Sequence, residues 1–216
     1  MPSASNQLIL TDANLIGAGA HKITYAYPDK KNLCVKVTRS THDIDLEWEL
    51  AYRKAREKHH KLSKLIPLYL GTIMTNKGEA HVFERICDYD DKTSLTLDEH
   101  INHIIKVNTH DDAQKHLKSL LLSFKKLWFE EKIVTSNIEL VNFMVQHKTP
   151  DDTCIRIVDN IGTPVMIPLA YHFEYFAMKR AIKYWKIFAD VLKTTFPNEL
   201  SHELLTELEK QPQTSK

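Results

Sequence analysis

The sequence lacks the features that mark membrane, secreted and nucleic-acid-binding proteins. No apolar run approaches the ~20 residues that a transmembrane helix needs. The N-terminal segment has no basic residues before its apolar positions, so no secretory signal is predicted. The 29 basic and 28 acidic residues leave a net charge of +1, which gives no electrostatic footprint for nucleic acid. We therefore expect a cytoplasmic protein without a membrane span.

Recurrent cysteine and metal-ligand patterns are missing as well. Cys34, Cys87 and Cys154 are scattered and have no C-x-x-C spacing, which is typical of a reducing compartment without disulfides. The chain has 12 histidines, but no H-E-x-x-H motif and no cysteine–histidine ligand set accompanies them. We interpret most of these histidines as exposed helix residues and propose no metal site from them. The remaining composition is that of a globular protein, with one domain or two lobes.

The first part of the chain has the pattern of a sheet with one helix. Apolar and β-branched runs predict five strands, and apolar positions at helical spacing predict a helix from Asp43 to Leu65 between the third strand and the fourth. Because strands and helices do not alternate, the sheet is expected to be antiparallel with one inserted helix. The five strands are predicted over residues 8–16, 23–27, 33–37, 68–74 and 79–86.

The rest of the chain is mostly helical, so the predicted fold class is α+β. The polar and acidic segment Asp88–Ser94 is interpreted as a linker, which divides the chain into a sheet-containing lobe at 1–87 and a reduced helical lobe at 88–216. Two short apolar runs, Phe143–Val145 and Ile155–Val158, flank a polar turn and predict a hairpin. Helices are predicted over residues 97–107, 111–131, 169–196 and 199–210.

The predicted hairpin carries a polar residue at two neighbouring strand ends. Asn142 precedes its first strand, and Asp159 directly follows the β-branched run of its second strand. Amide and carboxylate oxygens are suitable ligands for one divalent cation. The pair is therefore a candidate metal site, and the alternative is an ordinary hairpin with polar ends.

Two features of the sheet-containing lobe suggest phosphate binding. Gly17 and Gly19 follow the first predicted strand, and glycines let backbone N–H groups approach phosphate oxygens closely. They join two strands, which excludes the Rossmann and P-loop motifs because both need a helix next. Lys36 lies among apolar strand residues, and a buried ammonium group is costly unless it is paired. The alternatives are a simple tight turn and an edge-strand lysine that points to water.

Taken together, these parts resemble the protein-kinase-like fold. More closely, the chain resembles the YrbL family of bacteria, which its name links to the PhoP regulatory network. The matching motifs extend from about residue 10 to 170, and their order and spacing carry the resemblance. They are G-A-G-A-H-K-I-T-Y-A-Y-P from Gly17, C-V-K-V from Cys34, E-L-A-Y from Glu49, I-V-T from Ile133, and D-N-I-G from Asp159 followed by I-P-L.

The resemblance implies that the chain binds ATP and Mg²⁺. The glycine-rich loop would cover the phosphates, and a strand lysine paired with a helix glutamate would contact them. An asparagine and an aspartate would hold the metal ion. By position these residues are Gly17 and Gly19 in the loop, Lys36 with Glu49 (which matches the family's E-L better than Glu47) at the phosphates, and Asn142 with Asp159 at the metal.

Several departures from the kinase-like pattern affect catalysis. The third glycine of the loop is replaced by Lys22, and the position of the catalytic aspartate holds Asn137. An amide cannot accept the proton of a substrate hydroxyl, and such general-base help is typically worth about 10²–10⁴-fold. Two residues later, Glu139 stands where a lysine is expected, and a carboxylate there opposes the charge of the transferring phosphoryl group. The D-N-I-G segment also has one residue more than D-F-G.

We therefore expect a pseudokinase, that is, a kinase-like ATP- and Mg²⁺-binding regulatory protein with weak or no phosphoryl transfer. Its expected partners are the nucleotide and a regulatory protein. One alternative is an active, atypical phosphotransferase on a small molecule, in which Glu139 or a substrate group replaces the missing base. The other is a nucleotide-independent interaction module, for which the aromatic C-terminal helices would supply the surface.

Overall fold

The computed structural model describes residues 7–40, 43–58, 63–164 and 169–210. The chain divides into two compact units. The first comprises Met1–Ile44 and Pro67–Thr93, and the second comprises Asp45–Ile66 and Ser94–Lys216. This division differs from the predicted boundary after residue 87, because the inserted helix belongs to the core of the second unit.

The first unit is built on a five-stranded antiparallel sheet, as predicted. Its strand order is β1-β2-β3-β5-β4, so β3 is the central strand and β1 and β4 are the edges. Its strands are β1 (Leu15–Ala18), β2 (Lys22–Ala26), β3 (Leu33–Thr38), β4 (Tyr69–Thr75) and β5 (Gly78–Glu84).

Alternation along the strands separates the two faces of this sheet. Tyr25 pairs with Val35, and both pack in a small core together with Leu10 and Ala80. Side chains on the positions between them, such as Lys36, therefore point to the opposite face. Alternate residues of β3 therefore lie in the small core or on the opposite face of the sheet.

The first predicted strand, over residues 8–16, is shorter in the structure and begins later. A 3₁₀ turn at Asp12–Asn14 interrupts it. The Asn14 side chain accepts a hydrogen bond from the backbone N–H of Thr11 (3.1 Å), and the Asn14 N–H donates to the Thr11 carbonyl (3.0 Å). This local side-chain bond competes with strand pairing, so β1 contains only Leu15–Ala18.

Within its described residues, the second unit combines six α-helices with a small three-stranded sheet. The predicted hairpin is present as β7 and β8, and a short strand that the sequence pattern did not predict, β6, adds to β7. The strands are β6 (Leu95–Thr96), β7 (Phe143–His147) and β8 (Thr153–Ile157). The helices are α1 (Ile44–Lys58), α2 (Leu97–Val107), α3 (His110–Glu131), α4 (Leu169–His172), α5 (Glu174–Thr195) and α6 (His202–Glu209).

An aromatic cluster forms the centre of the second unit. Its neighbouring rings have centroids 5.1 to 6.5 Å apart, in tilted and edge-on pairs and one stacked pair, and such pairs stabilise beyond the area that they bury. Both buried indole N–H groups have acceptors: Trp128 donates to the Ala181 carbonyl (3.0 Å), and Trp185 donates to the Leu208 carbonyl (2.8 Å). The cluster consists of Phe124, Trp128, Phe143, Trp185 and Phe188.

A polar cluster fixes α1 to the end of α3. The carboxylate of Glu131 accepts hydrogen bonds from the Arg56 guanidinium (3.0 Å), the Ser63 hydroxyl (2.5 Å) and the Lys64 N–H (2.8 Å). The Tyr52 hydroxyl accepts from the N–H of Val134 (3.3 Å). A largely buried carboxylate with this many donors is well compensated, so the inserted helix is held by the second unit.

Two predicted helices differ in extent. The helix predicted over residues 43–65 is described over Ile44–Lys58, and residues 63–65 are not helical. Residues 59–62, which include His59, His60 and Leu62 of the prediction, lie outside the described residues. The helix predicted over residues 169–196 is broken at Phe173, whose extended backbone (φ −122°, ψ 121°) precedes α5. Among the described helices, none is long and apolar enough to cross a membrane.

Candidate functional site

The glycine-rich segment includes the end of β1, where Gly17 pairs with Thr24 instead of following the strand as predicted, and the turn from β1 to β2, which contains Gly19. The Gly19 N–H donates to the Lys22 carbonyl (2.9 Å), which closes the turn. Neither Gly17 nor Gly19 has a positive φ. A Cβ on Gly17 would meet no atom of the described chain within 4 Å, and one on Gly19 would make an ordinary 3.5 Å contact with the Lys22 carbonyl. The fold of the first unit therefore requires neither glycine.

Lys36 lies at the centre of the sheet. It is opposite Thr24 of β2 and His81 of β5, and its side chain is 7% exposed. Its ammonium group lies 4.9 Å from the centre of the Phe83 ring, which is a cation–π geometry. The alternative of an edge-strand lysine that points to water does not hold, because β3 is paired on both sides.

Burial distinguishes the two candidate glutamates of α1. Glu49 is 1% exposed, whereas Glu47 is on the exposed side of the helix. One oxygen of Glu49, Oε1, accepts from Nε (2.9 Å) and Nη2 (2.6 Å) of Arg53, one helical turn later. Within the described residues, the other oxygen, Oε2, has no hydrogen-bond partner. The buried position favours Glu49 over Glu47, while its pairing with Lys36 stays a prediction.

The segment with the predicted catalytic positions is tied to the segment with the predicted metal ligand. The Ser136 N–H donates to the Asn160 carbonyl (2.9 Å), and the Gly162 N–H donates to the Val134 carbonyl (3.0 Å). The Tyr184 hydroxyl also donates to the Ser136 carbonyl (2.8 Å). These bonds hold both segments in one frame within the second unit.

The two catalytic positions that depart from the kinase pattern contact each other. The Asn137 side-chain amide donates to the Glu139 carboxylate (2.6 Å) and accepts from the N–H of Ile138 (2.9 Å). Both Asn137 and Glu139 are exposed. The kinase aspartate position is therefore occupied by an amide, which cannot act as a base, and the carboxylate of the pair lies two residues later.

Asn142 and Asp159 are neighbours at one end of the hairpin. Phe143 pairs with Ile157, and the Val158 N–H donates to the Asn142 carbonyl (2.9 Å), so the two residues flank the last pair of the ladder. The Asp159 carboxylate accepts from the N–H of Asn160 (3.0 Å). In the part of the chain that the structure describes, no group of three or more His, Cys, Asp or Glu side chains is placed to hold a metal ion.

The D-N-I-G segment is closely packed against α1 at Gly162. This residue has φ +97°, and a Cβ there would lie 2.7 Å from the Trp48 carbonyl oxygen. The Tyr171 hydroxyl accepts from the Thr163 N–H (2.9 Å) and donates to the same Trp48 carbonyl (3.3 Å). Burial raises the pKa of Tyr171 to about 12, so it remains a neutral donor. No sequence pattern predicts this contact.

A histidine cluster in the second unit also escaped the sequence interpretation, which placed most histidines on exposed helix surfaces. His100 of α2 is 1% exposed. Its Nε2 lies 3.1 Å from Nε2 of His116 on α3, and its ring is 5.4 Å from that of His147 on β7. Burial, with the positive charges of His116, His147 and His103, lowers the pKa of His100 to about 3. The sequence shows that His100 and His103 are one helical turn apart, but it does not show that α3 and β7 pack next to His100.

The fold and these residues define a class: an α+β protein with a five-stranded antiparallel sheet in one unit and a mainly helical second unit that carries a polar-ended hairpin. The family described as PhoP regulatory network protein YrbL matches residues 8–193, and the chain belongs to this family. YrbL of Escherichia coli strain K12 is 27% identical over 182 residues, which cover 83% of this chain and 85% of that protein. YrbL of Shigella flexneri is similar to the same degree, 27% over 182 residues.

Proposed function

We propose that this protein is a kinase-like, ATP- and Mg²⁺-binding regulatory protein with weak or no phosphoryl transfer. The observation that carries the proposal is the pairing of strand ends that makes Asn142 and Asp159 neighbours, while the base position holds an amide bonded to Glu139. We therefore propose that this end of the hairpin keeps metal-ligand chemistry and that the base position has lost general-base chemistry. The name of the family fits a regulatory role. We also propose that the protein is cytoplasmic, as expected from its sequence.

In the first unit, the residues proposed to bind the phosphates are Gly17, Gly19 and Lys36. The glycines support the proposal because the fold of the first unit does not require glycine at these positions. A Cβ on Gly17, for example, would meet open space. The support for Lys36 is that a central-strand ammonium group is buried beside the Phe83 ring, where an apolar residue would be expected.

In the second unit, the donor set suits magnesium. Mg²⁺ is usually held by one or two carboxylates, other oxygen donors and the phosphates of the substrate. Asp159 supplies a carboxylate and Asn142 supplies an amide oxygen, and both side chains are partly exposed. When bound, the ion would offset the negative charge of the phosphates. Glu49 is proposed as the acidic residue that the family resemblance implies, and one of its buried oxygens has no donor within the described residues.

The proposal is tested by calorimetric titration with ATP, with and without Mg²⁺. We expect binding in the micromolar range that requires Mg²⁺ and is lost in Lys36→Ala and in Asp159→Asn. The matched controls are Lys115→Ala on the exposed side of α3 and Asp151→Asn in the exposed hairpin turn, which should bind as the wild type does. No heat and no thermal shift at millimolar ATP and Mg²⁺ would reject the proposal.

A second candidate function is transfer of phosphate to a small molecule. The observation in its favour is the exposed carboxylate of Glu139, which is oriented by Asn137 and could accept a proton. Incubation with γ-labelled ATP and fractionated metabolites tests this function. Label transfer that disappears in Glu139→Gln would support it, and intact ATP binding without transfer to any fraction would exclude it.

A third candidate is a nucleotide-independent interaction module. In its favour, Phe173, Tyr175 and Phe176 are 55%, 64% and 40% exposed around the start of α5. An exposed aromatic group of this kind is typical of a binding surface. A partner captured equally well with and without ATP, and lost in Phe173→Ser, would favour this function over the first.

A further inference from the structure

Helix α5 has one buried face and one exposed face. The buried side chains lie on one side of the helix and include Trp185 and Phe188 of the aromatic cluster. Residues three, four, seven or eight positions apart share one side of a helix, and such a set is exposed on the opposite side over about three turns. We call it the aromatic–basic face, and it consists of Tyr175, Phe176, Lys179, Lys183, Lys186 and Ile187.

Aromatic rings cluster at the start of this face. The ring centre of Phe176 lies 5.5 Å from that of Tyr175 and 6.3 Å from that of Phe173, the residue before α5. All three side chains are exposed. Contiguous apolar surface that is left in water marks interaction sites more often than single exposed residues do, so this end of the face is suited to an apolar group of a partner.

A cavity lies beside the aromatic group. Its volume is about 160 Å³, and Phe173 is part of its lining, together with other aromatic rings and alanine methyl groups. A single water needs only about 10–15 Å³, so the cavity has room for a side chain. Its charged residues form pairs, Arg56 with Glu131 (3.0 Å) and Lys132 with Glu174 (3.5 Å). An apolar side chain therefore fits it better than a charged one.

The rest of the face carries three lysines. Within the described residues, none of Lys179, Lys183 and Lys186 forms an ion pair. Further along the same helix, Lys193 is paired with Glu209 (2.8 Å), so the end of α5 is neutralised within the chain while its middle is not. The result is a local positive surface on a protein whose net charge is only +1.

Aromatic rings, rather than carboxylates, accompany two of these lysines. The ammonium group of Lys179 lies 4.6 Å from the ring centre of Tyr175, and that of Lys183 lies 5.4 Å from the ring centre of Tyr184. A ring orients an ammonium group but does not remove its charge. Asp190, one helical turn beyond the last lysine, forms no ion pair within the described residues. The face therefore keeps its positive charge.

We infer that the aromatic–basic face binds an acidic segment of a partner protein, with an apolar side chain of that segment in the neighbouring cavity. The sign of the partner follows from charge complementarity, and the buried apolar anchor would supply much of the affinity. A membrane surface would meet the lysines but would leave the cavity beside Phe173 empty. The inference rests on the proposed function, because it names the chemistry of the regulatory partner.

Fluorescence anisotropy of the full-length protein with a labelled synthetic peptide tests the inference. The peptide begins with leucines and continues with glutamates. One comparison peptide has lysines in place of the glutamates, and another has serines in place of the leucines. We expect the first peptide to bind, the serine peptide to bind more than about tenfold more weakly, and the lysine peptide not to bind. Raising the salt from about 0.05 to about 0.5 M should weaken binding, because exposed charges are screened.

Charge reversal is the sharper test. The triple variant Lys179→Glu, Lys183→Glu, Lys186→Glu should bind the acidic peptide more than about tenfold more weakly and should bind the lysine peptide instead. A matched control reverses three exposed lysines on other helices and should bind as the wild type does. Thermal unfolding of both variants shows that each is folded. The control lysines are Lys54, Lys106 and Lys115.

The outcomes separate the inference from the proposed function. Equal binding of the acidic and lysine peptides, or equal losses in the charge-reversed and control variants, would overturn the inference. Binding to phosphatidylglycerol vesicles without binding to the acidic peptide would also overturn it, in favour of a membrane surface. ATP binding without peptide binding would overturn the inference and leave the nucleotide function. Peptide binding that follows the charge reversal, without ATP binding, would support the inference and reject the nucleotide function.

Discussion

The two glycine-bearing segments of the chain are both proposed to serve a nucleotide, but the fold constrains them differently. Gly162 in the second unit has φ +97°, and its Cα faces the Trp48 carbonyl so closely that a Cβ would lie 2.7 Å from it. Gly17 in the first unit has neither a positive φ nor any described atom within 4 Å of a Cβ position. Packing and backbone conformation therefore explain the glycine at position 162, but they do not explain the glycine at position 17.

The difference shows how to weigh a motif. The glycine of D-N-I-G is fully explained by packing within the second unit, so its presence does not by itself argue for a ligand. The glycine of the loop is not explained by its own unit, so a ligand that needs close approach is a stronger explanation there. The comparison can be tested by replacing glycines that have different constraints and measuring the change in the free energy of unfolding.

The largest effect is expected for Gly162→Ala. The substitution combines an unfavourable positive φ with overlap against the Trp48 carbonyl and the Tyr171 hydroxyl. Backbone strain and overpacking each cost about 1–3 kcal/mol, so we expect a loss of about 3–5 kcal/mol in the free energy of unfolding. Urea denaturation measures it. A loss below 1 kcal/mol would mean that α1 and this segment separate easily, and the packing explanation of Gly162 would fail.

Acidification should destabilise the second unit through His100. Its pKa is lowered to about 3 in the folded state, whereas an unfolded histidine has a pKa of about 6.5. Between these values the unfolded chain binds a proton that the folded chain does not, so stability falls as pH falls, by up to about 1.4 kcal/mol per pH unit. Allowing for partial solvation, we expect about 2 kcal/mol between pH 7 and about pH 4.5.

The measurement is urea denaturation of wild type and His100→Asn at both pH values. The variant should lose less stability on acidification than the wild type, because the buried group no longer titrates. Its stability near neutral pH shows whether the amide still fits beside His116. An identical loss in both proteins would assign the acid sensitivity to other groups.

A smaller effect is expected at Gly71 in β4. This residue has φ +103°, but a Cβ would meet no described atom within 4 Å. Only the backbone term applies, so Gly71→Ala should cost about 1–2 kcal/mol in the free energy of unfolding. Comparison of Gly71→Ala with Gly162→Ala by the same denaturation experiment isolates the overlap term. Equal losses at the two positions would show that the contact with Trp48 contributes nothing.

The sequence predicted what depends on local periodicity. The stripe Leu117, Leu120, Leu121 and Phe124 is buried in α3 as its spacing indicates, and the antiparallel five-stranded sheet follows from the order of its strands. It did not predict β6, a strand of two residues, because so short an element has no measurable period. The break at Phe173 has no Pro or Gly to mark it, so it too was invisible.

Contacts between distant segments were the other limit. Gly162 and Trp48 are brought together by packing of α1, and His100 meets His116 and His147 only when α2, α3 and β7 assemble. For the candidate site, the sequence predicted the neighbouring strand ends of Asn142 and Asp159, because hairpin register is set locally. It could not predict that Lys36 lies opposite Thr24 and His81, since that required the register of β3 against β2 and β5.

The smallest effect on stability is expected for Gly17→Ala, and this variant completes the comparison. With no positive φ and no described neighbour within 4 Å of the new Cβ, the free energy of unfolding should change by less than about 0.5 kcal/mol. ATP binding should nevertheless weaken, because the methyl group would occupy space at the loop that a phosphate is proposed to use. Calorimetry together with urea denaturation separates the two effects. If Gly17→Ala binds ATP as the wild type does, ATP binding does not explain the glycine at position 17. The contrast between Gly162, explained by the fold, and Gly17, explained by a ligand, would then fail.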